Sequence, residues 1–145
     1  MELELTKLDE KAIIPSIEYG IADLSVLDLL TEVGRDGRLI LIYRTGLSVK
    51  IPANHIGMLI PSKLAPIYSL EDAAGIQIFH PNYEGEIIGR YKVNTTSVPS
   101  IFEQGEVFAK FMLVPMTDLT FKVNQVENQD EDKTDNGQIS DAEQA

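Results

Sequence analysis

The sequence predicts one all-β domain of the sandwich, jelly-roll or barrel kind. Three observations predict it. Short apolar or alternating runs recur about every ten residues, clusters of Gly, Pro, Asn and Asp separate them, and little of the chain has helical spacing.

Taken in order, Leu3–Leu8 alternates, Leu39–Tyr43 (LILIY) has the continuous apolar character of a buried strand, and Gly46–Ile51 (GLSVKI) alternates again. Ile56–Ile60, Gly75–Phe79, Glu86–Val93, Val107–Val114 and Leu119–Val123 follow, each rich in β-branched or aromatic residues that suit a half-buried pleated surface. The turns between them are written in Arg35-Asp36-Gly37, Pro52-Ala53-Asn54, Pro81–Gly85 and Gln104-Gly105. Only Ser25–Val33 and Ser69–Ala74 have the composition for a helical turn.

The chain has 145 residues, enough for one domain and a tail. It has no cysteine, which excludes disulfides, thiolate metal sites and a cysteine nucleophile. Two histidines, His55 and His80, are too few for a histidine-based metal cluster. Met1–Lys7 is acidic and alternating, so a secretory leader is not expected. No run approaches the ~18 apolar residues of a membrane helix, and the expected location is cytoplasmic, with no membrane partner. The net charge of −11 argues against a direct grip on nucleic acid. Much of that charge sits in residues 126–145, where seven acidic residues face one Lys; removing that net −6 leaves −5 for residues 1–125. The expected organisation is a β domain over 1–125 and a disordered acidic tail over 126–145, whose composition offers no core to join.

Five local patterns occur in order. They are Gly20-Ile21-Ala22-Asp23-Leu24, Thr45 through Pro52 (TGLSVKIP), Pro61-Ser62-Lys63-Leu64-Ala65, His80 through Ile87 (HPNYEGEI), and Gly105 through Pro115 (GEVFAKFMLVP). In that order and at those spacings, Ile13–Pro115 resembles the first four motifs of the deoxyuridine triphosphatase (dUTPase) family. The resemblance implies a jelly-roll-like β-clip fold, a homotrimer with sites shared between subunits, and hydrolysis of dUTP to dUMP and pyrophosphate. Magnesium would be carried by the nucleotide phosphates and water rather than by a protein cage. Strands such as LILIY and FAKFMLV point the same way, bringing more apolar surface than a monomer of this size should need.

The resemblance assigns Asp23 to the conserved Asp of the first motif and Ser62 to the phosphate-binding serine. It assigns Tyr83 to the tyrosine that packs on deoxyribose, and Gly85 with Glu86 to the Tyr-x-Gly-Glu turn, where Gly would supply a tight bend. Lys63 and Lys110 are further candidates for a phosphate. The departures are in the chemistry. His80 stands where the family has the Asp that activates water, and an imidazole is a different base in a different place. Pro61 replaces the phosphate-binding Arg, Ala74 falls near the Asn of the uracil hairpin, and Lys110 replaces a Gln. The glycine-rich closing arm is missing: after Val126 there is one Gly, Gly137, and no Arg.

Losing base, arginine and arm together removes both positioning and charge stabilisation. The expected function is a degenerate dUTPase-like protein, weak or silent in catalysis, that binds a deoxyribonucleotide or a protein partner. The alternative is an active, divergent dUTP diphosphatase with His80 as base. A third reading is a dCTP-deaminase-like enzyme. His80-Pro81-Asn82-Tyr83 is weakly similar to the Asp-Pro-Gly-aromatic turn of that branch, but Ile76–Phe79 lacks its general-base Glu.

Overall fold

The computed structural model describes residues 2–73, 75–94 and 100–126. Ten strands make up the described regular structure: β1 (Glu4–Lys7), β2 (Ile17–Glu18), β3 (Ile21–Ser25), β4 (Asp28–Val33), β5 (Leu39–Lys50), β6 (His55–Pro61), β7 (Leu70–Asp72), β8 (Gln77–Phe79), β9 (Glu84–Val93) and β10 (Val107–Pro115). They form two antiparallel sheets. One has the order β1-β5-β9-β7, with β4 also paired to β5; the other runs β2-β3-β10-β6-β8. The all-β expectation holds, and the core draws on both sheets: Leu41, Tyr43, Val49, Ile87 and Tyr91 from the first, Leu24, Leu59, Phe79, Phe108 and Phe111 from the second.

The runs Leu39–Tyr43 and Gly46–Ile51 belong to one strand rather than two. The first half of β5 pairs with β4 and the second half with β1, while β9 lies along its other edge. The register against β9 shifts between Arg44 and Ser48, and Gly46 sits in that break with φ 69°. A β-carbon there would come within 2.6 Å of the Leu27 side chain. Arg44 and Glu86 stitch the break, with Nε 3.1 Å from Oε2, and the same carboxylate oxygen accepts the Gly46 amide at 2.9 Å. Thr45, buried beside them, donates its hydroxyl to the Ile87 carbonyl.

Three expectations about individual segments fail. Ser25–Val33 is not helical: Asp28–Val33 is β4, closing a hairpin on β5 through the Arg35-Asp36-Gly37 turn. Within Ser69–Ala74, Leu70–Asp72 is β7, paired to β9, with Leu70 buried; Ala74 lies outside the described residues. In both cases cross-strand pairing overrides a weak local preference. Leu119–Val123 has the alternation of a strand but pairs with no strand among the described residues, and Leu119, Phe121 and Val123 are each more than three-quarters exposed.

The apolar surface is also placed differently from the expectation. LILIY is almost wholly buried from Ile40 to Tyr43, and Phe108, Ala109 and Phe111 of β10 are buried too. A single chain therefore consumes these strands in its own core. Exposed apolar residues are scattered over the surface, with concentrations at Ile13, Ile14, Ile17 and Tyr19 and along 116–126. A cleft of about 720 Å³ opens between β1 and the 14–24 region, floored by Leu5, Leu24, Ile87 and Phe111 and rimmed by Glu2 and Glu4. No described helix is long and apolar enough to cross a membrane. The predicted acidic tail lies outside the described residues beyond Val126.

Candidate functional site

The residues singled out in the sequence fall into two groups. The first gathers at one end of the β3-β10-β6 sheet. Asp23 on β3 stands opposite Lys110 on β10, and Lys110 in turn stands opposite Ile60 on β6. The Lys110 ammonium contacts the Asp23 carboxylate directly, so each of these two half-exposed groups already has a partner of opposite charge. Ser62 follows β6 immediately. Its amide donates to the Tyr91 hydroxyl at 3.0 Å and, more weakly, to the Phe108 carbonyl at 3.3 Å. Its hydroxyl oxygen accepts the Leu64 amide at 3.1 Å, and the Ala65 amide closes the turn on the Ser62 carbonyl.

Ser62 and the exposed Lys63 line a groove of about 410 Å³ with Pro61, Ser69, Glu71 and Asn94. Lys63 is the only cation among the described residues that line it. Glu71, on the opposite wall, pairs with Arg38 at 3.2 Å. Among the side chains lining the groove, Lys63 brings the positive charge, a point charge rather than a planar fork, while Ser62 and Ser69 bring hydroxyls beside the Asn94 amide and the Glu71 and Asp72 carboxylates. The Ser62 amide adds no backbone donor to this set, because it points inward to the Tyr91 hydroxyl.

The second group surrounds the turn from β8 to β9. These strands are consecutive yet lie in different sheets, so His80–Tyr83 carries the chain across the sandwich. The Tyr83 amide closes the turn on the His80 carbonyl at 3.1 Å, and Asn82 adopts φ 66°. Two backbone bonds with Ile51 tie the turn to the end of β5. His80 is exposed, and Tyr83 is half-buried with its ring 5.0 Å from that of Phe79. Gly85 does not supply a bend. It lies within β9, at a φ outside the left-handed region, and a β-carbon there would come within 2.7 Å of the Tyr83 hydroxyl. Its role is to leave room for the Tyr83 ring.

Phe79 is in register with Gly57, whereas Ser62 follows the far end of β6. Five residues of strand separate the two groups by about 16 Å. One chain brings Asp23, Lys110, Ser62 and Lys63 to one end of this sheet, and the turn holding His80 and Tyr83 to the other, with Gly85 beyond it in β9 of the facing sheet.

Two features escaped the sequence reading. Glu86 serves the β5 break. Tyr91, 2% exposed, donates its hydroxyl to the Phe108 carbonyl at 2.6 Å while accepting the Ser62 amide. Burial pushes its phenol up to about 12. The inward alternation Ile87, Gly89, Tyr91 was the available signal for a core position, but nothing in sequence reveals what a buried hydroxyl reaches. Among the described residues no group of three or more His, Asp or Glu side chains is placed to hold a metal ion.

The fold and these two turns define a two-sheet β domain of the dUTPase kind. Solved structures bear this out. The dUTPase of Staphylococcus aureus phage phi11 superposes with a TM-score of 0.61 over 90% of this chain and 100% of its own, at 16% identity. A variant of the Staphylococcus bacteriophage 80alpha dUTPase, solved with dUpNHpp, gives 0.60 over 87% of this chain and 97% of its own, at 17% identity. No family model matches the chain, and no curated protein matches it. The chain has the dUTPase-like fold, strongly diverged in sequence.

Proposed function

We propose that this protein is a degenerate dUTPase-like nucleotide binder, weak or silent in dUTP hydrolysis. One observation carries the reading. Ser62, Lys63 and Tyr83 stand at turns of a dUTPase-like fold, while the place of the water-activating carboxylate is taken by the exposed His80 and that of the phosphate-binding arginine by Pro61. Phosphate would meet Ser62 and Lys63, with Lys110 joining only by leaving Asp23, and deoxyribose would meet Tyr83. Magnesium would arrive on the phosphates, since the described residues offer no cage for it. The phi11 dUTPase is described with a structural Mg(II) ion, which makes the cation a natural companion to test.

The same reading takes the protein as a cytoplasmic homotrimer with a β domain over 1–125 and a dispensable tail. The separation of the two residue groups along β6 supports shared sites, because a neighbouring copy can bring one group to the other. The exposed apolar side chains of the 116–126 segment and the apolar cleft support assembly, since both present surface that a second copy would remove from water. A protein partner is the remaining possibility. The 80alpha dUTPases are described as controlling transfer of virulence genes, so this fold can carry a signalling role.

The active-enzyme reading rests on His80, whose exposure leaves its ring accessible to a substrate. Titrating dUTP with magnesium into the purified protein, beside a pyrophosphate-release assay, separates the readings. Saturable binding that Tyr83→Ala weakens, with little turnover, supports the proposal. Robust turnover abolished by His80→Ala supports the enzyme.

A further inference from the structure

The groove beside Ser62 is held in shape from below by one side chain. Tyr91 lies in β9 of one sheet and reaches across the core to β10 and the end of β6 in the other. Its hydroxyl is fully engaged: the proton goes to the Phe108 carbonyl and the oxygen receives the Ser62 amide. That amide has a poorer second acceptor in the same carbonyl at 3.3 Å. Fixing the Ser62 backbone also fixes its hydroxyl, whose oxygen accepts the Leu64 amide. A hydroxyl that accepts one bond keeps its own proton for another acceptor, and donation into its oxygen polarises that proton outward.

We propose that Tyr91 is the positioning residue of the groove, presenting the Ser62 hydroxyl proton to a phosphoryl oxygen while Lys63 supplies the charge. Tyr91 touches no ligand itself, being buried beneath Ser62. The Ser62 and Leu64 amides are spent within the protein, so Ser62 can donate to a ligand only through its hydroxyl. The orientation of that hydroxyl is one determinant of the donor set of the groove, and the tyrosine that holds it tunes phosphate affinity from the opposite sheet. This inference rests on the phosphate reading of the groove and adds the residue that makes it selective for the phosphorylated form.

The test is a double-mutant cycle on the full chain with Ser62→Ala, Tyr91→Phe and both together. Affinity for dUTP with magnesium and for deoxyuridine is measured by calorimetry, and folding is checked by thermal melting. Phenylalanine keeps the ring and its packing. Loss of one hydrogen bond to a charged oxygen corresponds to about tenfold in affinity. Tyr91→Phe should weaken dUTP about tenfold and leave deoxyuridine unchanged, and adding it to Ser62→Ala should cost nothing further. A Tyr91 that served the core alone would lower the melting temperature, leave the ratio of the two affinities unchanged, and give additive losses; that result overturns the inference while the phosphate reading stands. If Tyr91→Phe does not fold, Ser62→Ala must still lower dUTP affinity selectively, and failure to do so sinks the inference. A wild-type chain that binds deoxyuridine no less tightly than dUTP overturns the phosphate reading and the inference together.

Discussion

Glu86 shows how a residue that belongs to a motif in sequence can serve the scaffold in structure. Its carboxylate is 16% exposed and accepts both the Arg44 guanidinium and the Gly46 amide at the point where β5 loses register. Replacing it by Ala leaves the guanidinium half-paired and the amide short of an acceptor. Glu86→Ala should therefore cost about 1–3 kcal/mol, read as a lower urea midpoint at unchanged slope. Tyr91 gives a second residue-scale expectation. Its phenol is held near 12 in the folded chain against an ordinary value of 10. Between those values the unfolded chain releases the proton and the folded chain keeps it, so stability is fully present below pH 10 and declines as pH rises to about 12. Two pKa units correspond to about 2–3 kcal/mol. Denaturant midpoints from pH 9 to 12 should fall more steeply for the wild type than for Tyr91→Phe, and equal slopes would contradict the assignment. Neither role was legible in the sequence, where Glu86 completes a Tyr-x-Gly-Glu turn and Tyr91 is one aromatic in an alternating run. Both depend on atoms that non-local pairing brings together.

At the scale of elements, the strands with strong alternation or dense β-branching were legible: β1, β6, β8, β9 and β10 fall where their patterns place them, whereas β5 joins two separate runs into one strand. The misread segments are those whose pattern is ambiguous. Asp28–Val33 contains two leucines in a row, which suits a helix as well as a strand, and only its hairpin partner decides. Leu119–Val123 shows the converse: its pattern is a strand's, and it pairs with no strand among the described residues. Gly46 is the element-scale point of strain. A side chain there would meet a left-handed φ and the Leu27 methyl together, so Gly46→Ala should lower stability by about 2–4 kcal/mol, measured by thermal or urea unfolding. A neutral result would show that the β5 break can relax.

For the whole molecule, the fold was recoverable from the order of five motifs, whereas the division of the site was not. No local pattern reveals that Ser62 and Tyr83 lie at opposite ends of β6. That division makes assembly part of the functional question. Truncation after Asn124 keeps the exposed Leu119, Phe121 and Val123 and should leave melting temperature and oligomeric state unchanged. Truncation after Pro115 removes them and should release monomers in light scattering. An assembly that survives truncation after Pro115 would move the interface elsewhere. The central claim, retention of the scaffold with loss of the chemistry, is tested most directly by pyrophosphate release from dUTP with magnesium. The account predicts turnover far below the ~10 per second of an ordinary enzyme. It also predicts no recovery in His80→Asp, because Pro61, which precedes Ser62, still offers no side-chain donor to a phosphate. Robust turnover by the unmodified protein, lost in His80→Ala, would contradict it and make His80 the base.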